Sequence, residues 1–373
     1  MPFAATTQVQ FLWRDRSVAK DFRAGVSLHG HTMYSEEPMD NAAPFIATVP
    51  YLRRAMRRQE AEYKRTQNIN LDLSRGFWTP PLAPRQAHRL EQKQIEAQFQ
   101  LPALVSLTDH DDIRAGMQLR VLERFSCAPV STEWTIPFDN TFFHLGVHNL
   151  PPGEASGIIQ QLAAYTAQPQ PSELSRRLEA LNANPGVLVV LNHPLWDEKG
   201  IGRNNHEAAL AALLRRHARS IHALEVNGLR TMGENRRVID MGRELDIPVV
   251  AGGDRHGVEP NAILNLSRTE TLPGFIHEVR RERFSHVVFM QQYRQPQTLR
   301  ILHTVIDVLR DYPENFEGRR TWPDRIFYRE PVTGAPVPLA TVCSARGTRI
   351  VGSLIAAMRV MDRRPPSVIL TSA

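Results

Sequence analysis

Short apolar, β-branched runs that end in polar residues recur along the chain: AGVSLHGH, ALVSLTDHD, CAPVSTEW, TFFHLGVH, GVLVVLNHP, SIHALEVNG and IPVVAGGDRHG. Each has the length and composition of a strand. Between them lie stretches with helical spacing, SELSRRLEALNAN, NHEAALAALLRRHA and GENRRVIDMGRELD, with Ser172 and Asn205 placed as N-caps. Strands alternating with helices predict a mainly parallel sheet linked by crossovers, an α/β fold. About seven strands, each ending in a chemically loaded residue, point to a barrel rather than an open sheet, because barrel site residues gather at the C-terminal ends of the strands.

Two segments break this rhythm. Residues 41–100 separate the first two strands with a predicted helix, YLRRAMRRQEAEYKR, a Pro-rich stretch, FWTPPLAP, and a second helix, RQAHRLEQKQIEAQ. That is too long for an ordinary connection and reads as an insertion near the barrel mouth. Beyond residue 290 comes one amphipathic helix, PQTLRILHTVIDVLRDY, and then a tail whose VPLATVCSARGTRIVGSLIAAMRVM reads as a strand and a helix. The expected organisation is an N-terminal segment (1–20), a barrel (21–290) carrying the basic helical insertion (41–100), and a C-terminal helical extension (291–373) packed on the barrel.

Composition narrows the class without naming a chemistry. At 373 residues, 42% apolar and 23% charged, the chain can bury a sizeable core without staples. Its two cysteines, Cys127 and Cys343, are far apart and in no metal-ligand spacing, which fits a reducing compartment. The N-terminal stretch lacks a signal-peptide core, and nothing approaches the ~20 apolar residues of a membrane span, so a cytoplasmic protein is expected. The net charge of +6 is uneven, since residues 51–100 hold ten Lys or Arg against five Asp or Glu. Such a segment can draw an anionic partner or can simply be a solvated helix face.

The chemistry lies at the strand ends. His29, His31 and Glu36 follow the first run, and His110 the second. Glu133, His144 and His193 mark the next three, and Asp254 and His256 close the last. Residues two apart in an extended strand share a face, which pairs His29 with His31 and Asp254 with His256 and turns Arg255 away. Six imidazoles and three carboxylates, without thiolate, suit Zn, Mn or Fe. Packed at one face they would leave many polar groups to satisfy, and divalent cations satisfy them together. Nine donors exceed one tetrahedral ion, so two or three ions are expected. Such a cationic site attracts an anion and lowers the pKa of water toward ~7, which fits phosphate-ester hydrolysis.

HGHTMYSE, LTDHDDIRAG, the Glu133 strand, His144, LNHP and GGDRH, in that order over residues 20–290, resemble the polymerase and histidinol phosphatase (PHP) family of metal-dependent phosphoesterases. The resemblance implies a distorted (β/α)7 barrel with up to three ions. It implies one ion on His29, His31, Glu133 and Asp254. A second would share Glu133 and add His144 and His193, and a third would take Glu36, His110 and His256, with a metal-held hydroxide as nucleophile. His29, His31, Glu133, His193 and Asp254 would then carry catalysis. The family often has Asp where Glu36 stands; Glu37 could substitute, although an extended backbone would point it to the other face. The 41–100 insertion is longer than the family's usual first connection.

Asp109 is expected to orient an imidazole rather than to ligate. His148 competes with His144, and the other histidines, including His88, His217 and His303, lie on helix-like or loop stretches. Phosphate would need further donors from the loops after the strands. Lys199 and Arg203 follow His193, and Asn227 and Arg230 follow the sixth run. The leading expectation is a phosphatase acting on a small metabolite or nucleotide monoester. A nuclease would use the basic insertion, with Tyr51, Tyr63 and Trp78, to hold a strand, although no recognisable nucleic-acid module is present. A low-turnover metal-binding regulatory module is the third reading.

Overall fold

A computed structural model describes residues 4–15, 17–39, 72–314 and 317–338, with isolated positions between 54 and 65 and at 341. Most of YLRRAMRRQEAEYKR and the stretch from VCSARG onward therefore lie outside the described residues. The described parts of Met1–Ser35 and Leu82–Arg300 form one compact unit, and those of Glu36–Pro81 and Ile301–Ala373 form a second.

The described strands in chain order are β1 (Thr6–Phe11), β2 (Ala24–Ser27), β3 (Glu37–Pro38), β4 (Gly76–Trp78), β5 (Ala103–Val105), β6 (Val130–Phe138), β7 (Thr141–Leu150), β8 (Leu188–Asn192), β9 (Ala223–Asn227), β10 (Val249–Gly252), β11 (Ile263–Ser267), β12 (Phe284–Phe289), β13 (Ile326–Arg329) and β14 (Pro336–Pro338). The helices are α1 (Pro84–Phe99), α2 (Arg114–Arg120), α3 (Ala155–Ala167), α4 (Pro171–Ala183), α5 (Arg203–His217), α6 (Met232–Glu244), α7 (Leu272–His277) and α8 (Gln297–Leu309).

The first unit is a mixed α/β body of two five-stranded sheets, ordered β1-β12-β11-β2-β5 and β10-β9-β8-β7-β6. Isolated parallel bridges, Gly30 to Arg255 and His110 to Glu133, link chain beyond β2 to chain beyond β10 and chain beyond β5 to β6. All seven predicted runs form strands. β8, β9 and β10 are buried along their whole length, which explains their near-continuous apolar runs. Their side chains join Trp134, Ile136, Leu145, Val147 and Leu213 in the largest core cluster. Each such side chain, fully buried, contributes about 1.5–3 kcal/mol.

The pairing is less parallel than the alternation predicts. β8–β9, β9–β10 and β2–β5 are parallel, but β6–β7 and β7–β8 are antiparallel. The cause is local: β6 and β7 are separated only by Asp139 and Asn140, with Asp139 at φ 50°, and so short a turn cannot cross over to a parallel strand. β1, β11 and β12 were not predicted, and β11 runs antiparallel to both β2 and β12. The predicted caps also shift. α4 starts with Pro171 as its first residue after Gln170, and α5 follows Gly202 at φ 92°, so neither Ser172 nor Asn205 is a cap. Thr231 does cap α6, accepting from the Glu234 N–H.

In the second unit the insertion and the tail share one antiparallel sheet, ordered β14-β13-β4-β3. Phe77 of β4 stacks on Phe327 of β13 with ring centres 5.1 Å apart. The extension, read as helical with one strand in its tail, supplies β13 and β14 as well as α8.

Candidate metal centre

The chain leaves β2 at Ser27 and turns sharply at His29, whose φ is 60°. His29 and His31 are therefore not on one face of an extended strand, as their spacing predicts. The kink still brings their Nε2 atoms to 3.1 Å. Asp254, at φ 55°, and His193, at φ 27°, also occupy the left-handed region. Such backbone costs about 1–3 kcal/mol per residue and persists only where surroundings hold it. Here they do: the Asp254 N–H donates to the His29 carbonyl at 2.7 Å, and the His193 N–H donates to Glu225 Oε2 at 2.7 Å.

His29 Nε2 and His31 Nε2 each face Glu133 Oε2 and Asp254 Oδ1. His29 Nε2 lies 3.0 Å from Glu133 Oε2 and 3.6 Å from Asp254 Oδ1. His31 Nε2 lies 3.3 Å and 3.6 Å from the same two oxygens. Ligands about 2.1 Å from a shared tetrahedral ion stand ~3.4 Å from each other, so this spacing is that of a coordination shell. The opposite ring atoms are engaged elsewhere. His29 Nδ1 meets Glu225 Oε1 at 2.5 Å, and His31 Nδ1 meets Ser35 Oγ at 3.0 Å. Both Nε2 atoms are thereby aimed inward.

The second oxygen of Glu133 faces another set. Oε1 lies 3.2 Å from His193 Nε2 and 3.6 Å from His144 Nδ1, and it accepts from Asn192 Nδ2 at 2.9 Å. His110 Nδ1 stands 3.4 Å from Oε2. One carboxylate thus presents its two oxygens to two groups of imidazoles. His31, His110 and His256 form a third group, with ring nitrogens within 4.8 Å of one another. His256 stacks on His31 at 4.1 Å and turns its Nδ1 to the Asp254 carbonyl. Eight of the nine predicted ligands are brought together in this way. Glu36, the ninth, falls in the second unit, where its carboxylate accepts from Arg329.

Electrostatics fit a cation centre. Burial alone would depress the His29 pKa, but Glu133, Glu225 and Asp254 overcome it and hold it well above the usual histidine value. Burial would raise Glu133 and Asp254, yet the surrounding histidines, His29 foremost, hold both well below the usual carboxylate range. Burial, reinforced by His110 and His193, holds His144 well below an ordinary imidazole. Glu133, Asp254 and His144 are thus held without a proton, as divalent-cation ligands must be, whereas His29 would give up its proton to a cation. Asn192 Oδ1 is buried beside them without a hydrogen-bond partner. The donor set, imidazole and carboxylate without thiolate, fits divalent metal binding.

The flanking residues divide. Asp109 accepts from the N–H and hydroxyl of Thr32 at 2.6 and 2.8 Å, and so secures the loop that carries both first histidines. His148 is buried against Ser106 Oγ at 2.8 Å, and burial takes its pKa down to about 3. Arg255 turns away, as its place between two donors predicts: its Nε donates to Glu91 at 2.8 Å and its Nη2 to the His31 carbonyl. Asn227 donates to Glu225 and to Asp254 Oδ2 at 3.1 and 3.2 Å. Arg203 pairs with Glu207 at 2.7 Å, and Lys199 is exposed. Arg230 stacks over Trp196 at 4.1 Å, and Trp196 packs edge-on to His193.

Sequence reasoning missed Glu225, the residue that holds His29 and His193 together. Its signal was present, as a single acid inside the wholly buried strand ALEVN, two positions before Asn227. It also missed Asn192, whose bond to Glu133 joins segments distant in sequence, and Ser35, which meets His31 four residues away.

No helix among the described residues is long and apolar enough to cross a membrane. No family model matches the chain, and no curated protein matches it in sequence. Among solved structures, it is similar to a candidate metal-dependent phosphoesterase from Bifidobacterium adolescentis, with 12% identity, 64% of this chain and 90% of that chain covered, and a TM-score of 0.35. It is similar to an amidohydrolase from Chromobacterium violaceum with bound sulfate and no metal, with 15% identity, 48% and 84% covered, and a TM-score of 0.32. PsfC from Pseudomonas syringae matches with 13% identity, 76% and 97% covered, and a TM-score of 0.35. Likenesses at these scores carry no argument, and the chemistry is read from the centre itself.

Proposed function

We propose that this chain is a metal-dependent phosphoesterase of the PHP type that hydrolyses a phosphomonoester of a small metabolite or nucleotide. One observation carries the reading: four inward donor atoms at coordination-shell spacing, adjoining a second imidazole group through the two oxygens of Glu133. In this reading the two sheets joined by the Gly30 and His110 bridges are a distorted, interrupted barrel. His29, His31, Glu133 and Asp254 would hold one ion; Glu133, His144 and His193 would hold a second, and His110 and His256 would contribute to a third.

When bound, such cations supply positive charge to phosphate oxygens and bring the pKa of a water toward ~7. The protein's own residues fix the geometry. Glu225 orients the His29 ring and the His193 backbone, Asn227 holds Asp254, and Asn192 holds Glu133. Trp196 walls the His193 side, and Arg230, stacked on it, is the arm proposed to reach a phosphate. Lys199 adds a point charge from the same loop. Asn227 serves the site by holding Asp254, whereas Arg203 is paired with Glu207 on α5. Substrates are small phosphate esters, and the working compartment proposed is the cytoplasm.

The test is a panel of phosphorylated metabolites and nucleotides assayed with Mn-loaded protein, beside a generic aryl diester and a short oligonucleotide. Monoester turnover that chelator abolishes and Mn, Zn or Fe restores is expected. His193→Ala should lower kcat about 100- to 1,000-fold, the loss of several kcal/mol of charge stabilisation, with an unchanged circular dichroism spectrum. Protein that binds no divalent metal, or turnover indifferent to His193, would end the proposal. Faster cleavage of the oligonucleotide would move it to a nuclease.

A further inference from the structure

A separate basic cavity of about 960 Å³ lies in the first unit, where α1, the start of β5 and the loop entering β6 come together. It is lined by strand entrances, whereas the metal donors stand at strand exits. Arg89, Lys93, Arg120 and Arg124 line it against two carboxylates, Glu96 and Glu270. Among the described residues none of these four cations is in an ion pair with an acid. Arg120 is fixed by its bond to the Ala128 carbonyl at 2.9 Å. Arg89 is crowded by like charge, and burial together with Arg124 and Arg85 lowers its pKa.

Leu104, Val105, Phe125 and Leu272 give the wall an apolar part, beside the polar Gln92, Asn149 and Thr271. His88 sits edge-on to Phe125, and its buried Nδ1 has no hydrogen-bond partner. Burial and Arg124 take the His88 pKa down to about 4, so near neutral pH this ring is uncharged and can meet either a donor or an acceptor. Arg124 stands over the Phe125 ring at 4.6 Å, so cation and apolar surface adjoin. Cations without an acid partner in a half-apolar hollow are matched by an anion that carries an apolar body. Arginine forks favour the tetrahedral oxygens of phosphate.

We propose that this cavity is a second, non-catalytic binding site for a small phosphorylated organic molecule, with Arg89, Lys93 and Arg124 on the phosphate and Leu104, Phe125 and Leu272 on the apolar part. The site is independent of the metal centre. Cys127 lines the cavity and is exposed, so it provides a local readout.

The experiment follows alkylation of Cys127 by iodoacetamide, read by peptide mass spectrometry, with phenylphosphonate as a non-hydrolysable probe. Phenylphosphonate at ten times its Kd should slow the reaction about tenfold, by mass action. Inorganic phosphate should protect more weakly, and benzyl alcohol should not protect. The His193→Ala variant should keep the protection, which separates this cavity from the metal centre. Arg89→Gln with Arg124→Gln should lose it, and Lys93→Gln alone should weaken it. All three side chains are exposed, so these variants leave the core intact. An alkylation rate unaffected by phenylphosphonate in the unmodified protein would overturn the proposal. So would protection that survives the double change or vanishes in His193→Ala.

Discussion

At the scale of single residues, the metal donors are less telling than the atoms behind them. An imidazole can point anywhere, but here His29 Nδ1 and the His193 N–H both end on Glu225, and His31 Nδ1 ends on Ser35. Glu225→Gln keeps the shape and removes the charge that steadies His29. It should weaken metal affinity about 10- to 100-fold, measured by competition with a chelating dye, while the unfolding midpoint moves little. The donors themselves were legible in sequence because each closes an apolar run, a break in pattern that one-dimensional reading detects. Glu225, Asn192 and Ser35 were not singled out. A buried acid inside a strand becomes meaningful only when its partners, remote in sequence, are seen beside it.

At the scale of elements, the seven strand runs and five helices (α1, α4, α5, α6 and α8) were readable from periodicity, but the strand directions were not. Two residues, Asp139 and Asn140, turn a presumed crossover into a hairpin and make β7 antiparallel. β1 was missed because TTQVQF alternates weakly, and β12 because FSHVVF ends in no chemical signal. The glycine pair in GGDRH shows how tightly elements approach at the centre. A Cβ on Gly252 of β10 would lie 1.5 Å from Glu225 Oε1 of the neighbouring β9. Gly252→Ala should therefore cost about 1–3 kcal/mol by overpacking and also loosen metal binding, seen together in urea midpoint and metal titration. A variant as stable and as metal-competent as the parent would show that β9 and β10 can separate freely.

At the scale of the whole molecule, acid should act through buried neutral histidines. His148 has a folded pKa of about 3, depressed first by burial, against about 6.5 when unfolded. Below pH ~6.5 the unfolded chain takes up the proton first, so stability falls as pH falls toward 3, by about 1.4 kcal/mol per unit from this residue. His222, also near 3, acts in the same direction. Thermal midpoints at pH 7 and pH 5 should differ accordingly, and a flat profile would mean that His148 is protonated in the native protein. Chelation should lower the midpoint by several degrees at pH 7 and by less at pH 5, where protons already compete for the donors.

The bridge between Gly30 and Arg255 sets an order on how the molecule matures. The donors are spread from residue 29 to residue 256, and each group of three or four joins segments far apart along the chain. A ribosome-bound chain therefore exposes isolated histidines and acids long before any complete chelate exists. Contacts this distant form late and slowly. In the proposed metal-dependent reading, cations would therefore join last, to a body already assembled.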